Sequence, residues 1–143
     1  MKIKIQELDV YFPFKDAHKE QVTYMTTLKQ ILDNKTNGII EMPTGTGKTA
    51  SMFALITSYK AAYPEKVSKI VFCTRTVSQL EKAAEELRVI ITFLNSHLQT
   101  NITSQIISAR RNLCVNNEVT TNNERTRIDA CCKKMTKYQM PSS

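Results

Sequence analysis

The stretch "IIEMPTGTGKTASMFALITSYKAA" (residues 39–62) decides the fold. "IIEM" at 39–42 reads as a short buried strand, Pro43 to Gly47 as a loop, and Lys48 to about Ala62 as a helix, with Pro64 just past its end. A glycine-rich turn between a strand and a helix is the setting in which backbone N–H groups gather around a phosphate chain. The strict pattern G-x-x-x-x-G-K-[ST] is met at Gly47, Lys48 and Thr49, but Met42 stands where its first glycine belongs. Gly45 and Gly47 let the chain curl without a Cβ in the way. Lys48 can reach the β- and γ-phosphates as a mobile point charge, and the Thr49 hydroxyl is placed to ligate Mg²⁺. Thr44 and Thr46 complete the loop.

Outward from the loop, the pattern is that of an α/β layer. "IKI" at 3–5 reads as a short strand and Pro13 interrupts regularity. Val22, Met25, Leu28 and Leu32 share one face of a helix from His18 to about Asn34, which the turn residues "NKTNG" (34–38) end. "KIVFCT" (69–74) reads as the next strand, with Cys73 a small buried hydrophobe in it. Thr76-x-x-Gln79 and Ser78-x-x-Glu81 both fit a capping box. Leu80, Ala83, Leu87, Ile90, Leu94 and Leu98 mark one face of the long helix that follows, and "SQIIS" (104–108) reads as a third strand. The expected fold class is therefore α/β: a partial P-loop NTPase sheet of parallel strands with flanking helices. Beyond Ala109 the chain turns polar and basic, and the periodicity fades.

The 143 residues bound this to one domain at most. Twenty Lys+Arg against 13 Asp+Glu give a formal net charge of +7, which suits an anionic partner, although many basic proteins bind neither nucleotide nor nucleic acid. There is no run of about 18 apolar residues, so no membrane span is expected. The N-terminus lacks the apolar block of a signal peptide, which points to an intracellular protein whose four cysteines are free thiols or metal ligands.

In order along the chain stand "ELDVYFPF" (7–14), "EQVTYM" (20–25), "MPTGTGKTASMFALITSY" (42–59), "FCTRTVSQLEKAAEEL" (72–87), "SARRNLC" (108–114) and "IDACCKKMT" (128–136). Together they resemble the XPD-type helicases, superfamily 2 DNA helicases with an iron–sulfur domain, and most nearly the branch belonging to the transcription and repair factor TFIIH. Helicases use a looser phosphate loop, in which Met42 is no defect. The resemblance implies ATP-driven 5′-to-3′ movement on single-stranded DNA, other TFIIH subunits as partners, and the nucleus as location. It implies ATP and Mg²⁺ at Thr44, Gly45, Thr46, Gly47, Lys48 and Thr49, with Gln21 reading adenine through an amide that both donates and accepts. Without it, Gln21 reads as a solvent-facing helix residue. It implies DNA-backbone contacts from Thr74, Arg75 and Thr76, where hydroxyls and a guanidinium can hold phosphates without reading bases.

It also implies that Cys114 and Cys132 are two of the four thiolates of a [4Fe–4S] cluster in a full-length form. Cys131 is not a ligand in this alignment. Arg110, Arg111, Lys133 and Lys134 flank the cysteines and read equally well as DNA contacts or as a solvated surface. Residues 1–108 then correspond to the N-terminal part of the first, ATP-binding motor domain, and 109–143 to the beginning of the iron–sulfur domain. No D-E-A-H-type acidic motif occurs in the 143 residues, and Glu124 and Asp129 lie outside any core strand, so no catalytic residue is assigned. The expectation is an N-terminal fragment that binds ATP without useful hydrolysis. The alternatives are a non-catalytic P-loop nucleotide-binding or interaction module, and a small nucleotide kinase.

Overall fold

The computed structural model describes residues 1–120, 128, 130, 131, 134 and 135. The chain divides into two compact units, Met1–Ser104 and Gln105–Ser143. The first opens with a hairpin, β1 (Lys2–Ile5) and β2 (Leu8–Tyr11), paired antiparallel with Ile5 opposite Leu8. Gln6 takes a left-handed conformation (φ 54°) to close the turn. Period-two alternation sends Ile5, Leu8 and Val10 inward, while Lys2 and Lys4 pair with Asp9 on the outer face at 3.2 Å each.

Three helices complete this unit: α1 (Lys19–Asp33), α2 (Lys48–Ala62) and α3 (Val77–Leu98). All three lie where apolar periodicity and turn residues predict them. From Ala50 to Lys60 no residue of α2 is exposed. It packs against α1, α3 and β2, with Phe53, Leu55 and Tyr59 almost fully buried. Each such side chain contributes about 2 kcal/mol by removal from water. Small residues let the neighbours approach closely: Ala54 is fully buried, and the Ser58 hydroxyl accepts from the Tyr11 N–H of β2 at 3.0 Å. On α1, Met25 is fully buried, with Val22, Leu28 and Leu32 packed around the core. On α3 the stripe narrows to Ala83, Ile90 and Leu94, while Leu98 is exposed.

The expected parallel strands are not formed among the described residues. Segments 39–42, 69–74 and 104–108 carry no ladder, and the sheet that does form is the two-stranded antiparallel hairpin. A strand exists only as half of a pair, and parallel pairing must join segments separated by a long crossover, whereas a hairpin closes over two residues. Apolar composition marks a segment as strand-like but cannot supply its partner. Ile39, Val71 and Ile107 accordingly face solvent. Cys73, expected inside a strand, is exposed for the same reason. In the 69–74 segment Ile70 is half-buried, and Phe72, though exposed, meets Phe53 edge to face with centroids 5.0 Å apart.

A polar network that the sequence reading misses ties α1 to α2 and to the hairpin turn. Lys29 has no exposed surface, and its ammonium donates to Glu7 and to Asp33 Oδ2, the latter at 2.5 Å. Asp33 Oδ1 accepts from the Tyr59 hydroxyl at 2.8 Å. The i, i+4 spacing of Lys29 and Asp33 is its one trace in the sequence. The hydrogen bond from Lys29, ahead of the smaller effect of Tyr59, holds the Asp33 carboxyl below the usual carboxylate range. Burial opposes the charge on Lys29, but the hydrogen bonds to Asp33 and Glu7 prevail and raise its ammonium above the ordinary lysine range. Burial, and then the bond to Asp33, push the Tyr59 phenol up to about 12.

In the second unit, α4 (Arg110–Leu113) and α5 (Asn117–Thr120) are single turns. Asn116 Oδ1 accepts from the Val119 N–H at 3.4 Å, and Val119 is buried.

Two predictions follow from the Lys29 network. Asp33→Ala leaves a fully buried ammonium with Glu7 as its remaining carboxylate, and is expected to cost about 3 kcal/mol. Lys29→Met fills the same space without charge and should cost less than about 1.5 kcal/mol. Urea denaturation of both variants checks this order, and a larger loss for Lys29→Met contradicts it. The pH dependence follows from the directions of the shifts. Asp33, depressed in the folded state, stabilises fully above its ordinary 3.8 and loses that contribution as pH falls through its folded value. Lys29, raised, stabilises fully below its ordinary 10.5 and loses that contribution as pH rises through its folded value. Lys29→Met should therefore flatten both the acid and the alkaline limb of a stability–pH profile measured by urea midpoints.

Candidate nucleotide site

The loop between residue 42 and α2 is shaped by two left-handed glycines, Gly45 (φ 81°) and Gly47 (φ 74°). Gly47 is the N-cap of α2, and the first helical bond runs from the Ser51 N–H to the Gly47 carbonyl at 3.0 Å. The N–H groups of Lys48, Thr49 and Ala50 precede that bond and have no acceptor within the helix. No acidic residue lies in the first turn of α2, so the positive end of its dipole is uncompensated there. A concave run of donors at a helix N-terminus suits a polyanion.

Met42 has its side chain in the core, 5% exposed, and its carbonyl accepts from Lys48 Nζ at 3.1 Å. The residue at the expected first-glycine position thus anchors the loop's entry by packing, and its backbone holds the lysine. The Thr46 hydroxyl donates to the Pro43 carbonyl at 2.6 Å, closing the loop on itself. Thr44 is exposed and Thr49 is half-buried on the first turn of α2.

Gln21 lies in the first turn of α1, yet it is 7% exposed and not on the solvent face. Its Oε1 accepts from the His18 N–H at 2.9 Å, and its Nε2 donates to the Thr46 carbonyl at 2.9 Å. Residues 25 apart in sequence therefore meet at the loop. The donor and acceptor inventory of this site fits a magnesium nucleotide: N–H groups and Lys48 for phosphates, the Thr49 hydroxyl for the cation, and the Gln21 amide for a base edge.

Thr74, Arg75 and Thr76 form the turn that starts α3. Thr76 is its N-cap, its hydroxyl accepting from the Gln79 N–H at 3.3 Å, as the capping pattern predicts. The Gln79 side chain does not close the reciprocal half of the box; its Oε1 accepts from the Thr74 hydroxyl at 3.1 Å. Arg75 is exposed. Cys114 is the C-cap of α4 and is half-buried, as is Cys131. Cys132 and Lys133 lie outside the described residues, as do Glu124 and Asp129. Among the described residues no three His, Cys, Asp or Glu side chains gather as a metal site.

Residues 72–142 match the DEAD_2 family model. The chain is 44% identical over 138 residues to the general transcription and DNA repair factor IIH helicase subunit XPD of Arabidopsis thaliana, covering 95% of this chain and 18% of the relative. It is 40% identical over 139 residues to the subunit of the same name in Dictyostelium discoideum, again 95% of this chain and 18% of the relative. Regulator of telomere elongation helicase 1 of Homo sapiens is 28% identical over 174 residues, 94% of this chain and 14% of the relative. The chain thus spans less than a fifth of the length of these curated relatives. With the order and spacing of its motifs, these matches mean that the chain belongs to the family of XPD-type helicases.

Proposed function

We propose that this chain carries the ATP-binding part of an XPD-type, ATP-dependent DNA helicase. The observation that carries the reading is the meeting of the Gln21 amide with a two-glycine loop at an uncompensated helix N-terminus. In this reading Thr44 to Thr49 cradle the phosphates of Mg-ATP, with Lys48 leaving the Met42 carbonyl for the phosphate chain. Thr49 takes the Mg²⁺, and Gln21 reads the adenine edge. Thr74, Arg75 and Thr76 hold the backbone of single-stranded DNA at the start of α3. Residues 1–108 belong to the first motor domain and 109–143 to the beginning of the iron–sulfur domain. There Cys114 and Cys132 supply two of four thiolates, and the cluster, when bound, holds that segment together.

In this reading the segments 39–42, 69–74 and 104–108, strand-like by composition, are parallel strands of the motor domain. The exposed Ile39, Val71 and Ile107 support this, because apolar extended segments are stabilised by flanking strands. In this reading the protein works beside the other subunits of factor IIH in transcription and DNA repair, in the nucleus; the names of the factor IIH relatives support it. Directional movement and ATP hydrolysis belong to the whole protein, because the 143 residues contain no acidic D-E-A-H-type motif.

Titration calorimetry with Mg-ATP tests the phosphate loop. Lys48→Ala is expected to weaken binding by about tenfold or more, since it removes a charge-assisted contact to phosphate. Equal affinity in both proteins removes the loop from the account. For the DNA contact, Arg75→Ala is expected to weaken single-stranded DNA binding at every sequence. It should also reduce the slope of log K against log salt by about 0.7, the loss of one phosphate contact. An unchanged slope excludes Arg75 as such a contact.

A further inference from the structure

The Thr46–Gly47 peptide is the plane on which the phosphate loop turns. Rotation of this plane changes φ of Gly47, which sits at positive φ (74°) and has no Cβ to resist it, so an interaction with the plane is needed to hold its orientation. A trans peptide directs its carbonyl and the next N–H to opposite sides. Wherever the Thr46 carbonyl points, the Gly47 N–H therefore points the other way. That carbonyl is held by Gln21 Nε2 at 2.9 Å, and the first helical bond begins one residue later, on the Gly47 carbonyl. The amide also rests against Gly47: a Cβ built there would stand 2.5 Å from Nε2. Gln21 is itself fixed, being 7% exposed with Oε1 bound to the His18 N–H at 2.9 Å. A primary amide has two N–H hydrogens and an oxygen with two lone pairs, so one of each remains for a ligand while the loop contact persists.

We infer that Gln21 is a positioning residue of the phosphate loop, locking the Thr46–Gly47 peptide so that the Gly47 N–H faces the phosphates, independently of any base. The inference rests on the nucleotide reading above and adds a role that reading does not contain. Adenine recognition and phosphate binding then share one side chain, and a base at Gln21 bears directly on a lock already in place. A residue that only reads adenine would have no influence on a ligand without a base.

The test is calorimetry of the chain with two ligands, Mg-ADP and base-free magnesium tripolyphosphate, on the unmodified protein and on Gln21→Ala and Gln21→Glu. Glu keeps the acceptor for the His18 N–H but offers no donor to the Thr46 carbonyl. Both variants are expected to bind tripolyphosphate about tenfold more weakly, the effect of freeing one half-buried carbonyl and its peptide. In the unliganded chain, the amide resonance of Gly47 should shift or broaden in both variants while those of α3 stay in place, which a general loss of stability would not produce. Tripolyphosphate affinity unchanged in the variants, with Mg-ADP weakened, overturns the lock and leaves Gln21 as a base reader. If the unmodified chain binds neither ligand, the nucleotide reading itself falls and the inference with it.

Discussion

Helix α2 has no solvent-facing stretch between Ala50 and Lys60, and the rest of the 1–104 unit is arranged by that fact. A helix whose exposure between these residues is confined to the half-buried stripe Met52, Ile56 and Lys60 must be flanked by other elements, and α1, α3 and β2 do so. Its small residues set how closely they come, and its aromatic residues Phe53 and Tyr59 fill what remains. Because α2 cannot shift along its axis without disturbing this packing, its N-terminus is fixed in space. The loop that follows Met42 inherits that rigidity, since Gly47 is both its last residue and the N-cap of the helix.

Helix α1 grips α2 at both ends. Near the N-terminus of α2, Gln21 holds the Thr46 carbonyl; near its C-terminus, Asp33 accepts from Tyr59 and is itself held by Lys29. The two contacts differ in kind. The Lys29 network is a charge arrangement in which a fully buried ammonium is matched by two carboxylates. The Gln21 contact is neutral, short-ranged and directed at a single peptide plane. The first fixes where the helices lie, and the second orients the loop at one end of them. Met42 joins them to the core: its side chain packs inside while its carbonyl holds Lys48. A glycine at that position would keep the carbonyl but lose the anchor.

The positions of the three main helices were legible in the sequence because each announces itself locally. Apolar residues at helical spacing in 19–33 and 77–98, Thr76 as a cap, and the Gly47–Lys48 junction before an apolar run all act over a few residues. The parallel strands were not legible in the same sense. "IIEM" and "KIVFCT" have the composition of strands, but a ladder is a property of two backbones, and the local hairpin is the pairing that forms here. Cys73 is exposed for the same reason, since its burial depends on a strand pairing that is not formed among the described residues.

What the sequence determined by itself is therefore the chemistry and the local frame: which residues can meet a phosphate, where helices begin, and where glycine frees the backbone. Only the tertiary structure decided which of these groups meet. Gln21 taken alone reads as a surface residue, and nothing in its neighbourhood shows that its amide reaches Thr46. Lys29 carries a charge and is nonetheless fully buried, which no neighbouring residue announces. The first outcome follows from the packing of α1 beside the loop and α2, and the second from the approach of the hairpin turn to α1; each brings together groups more than twenty positions apart. Short-range physics is written in neighbouring residues, whereas a contact across two helices depends on how both are enclosed.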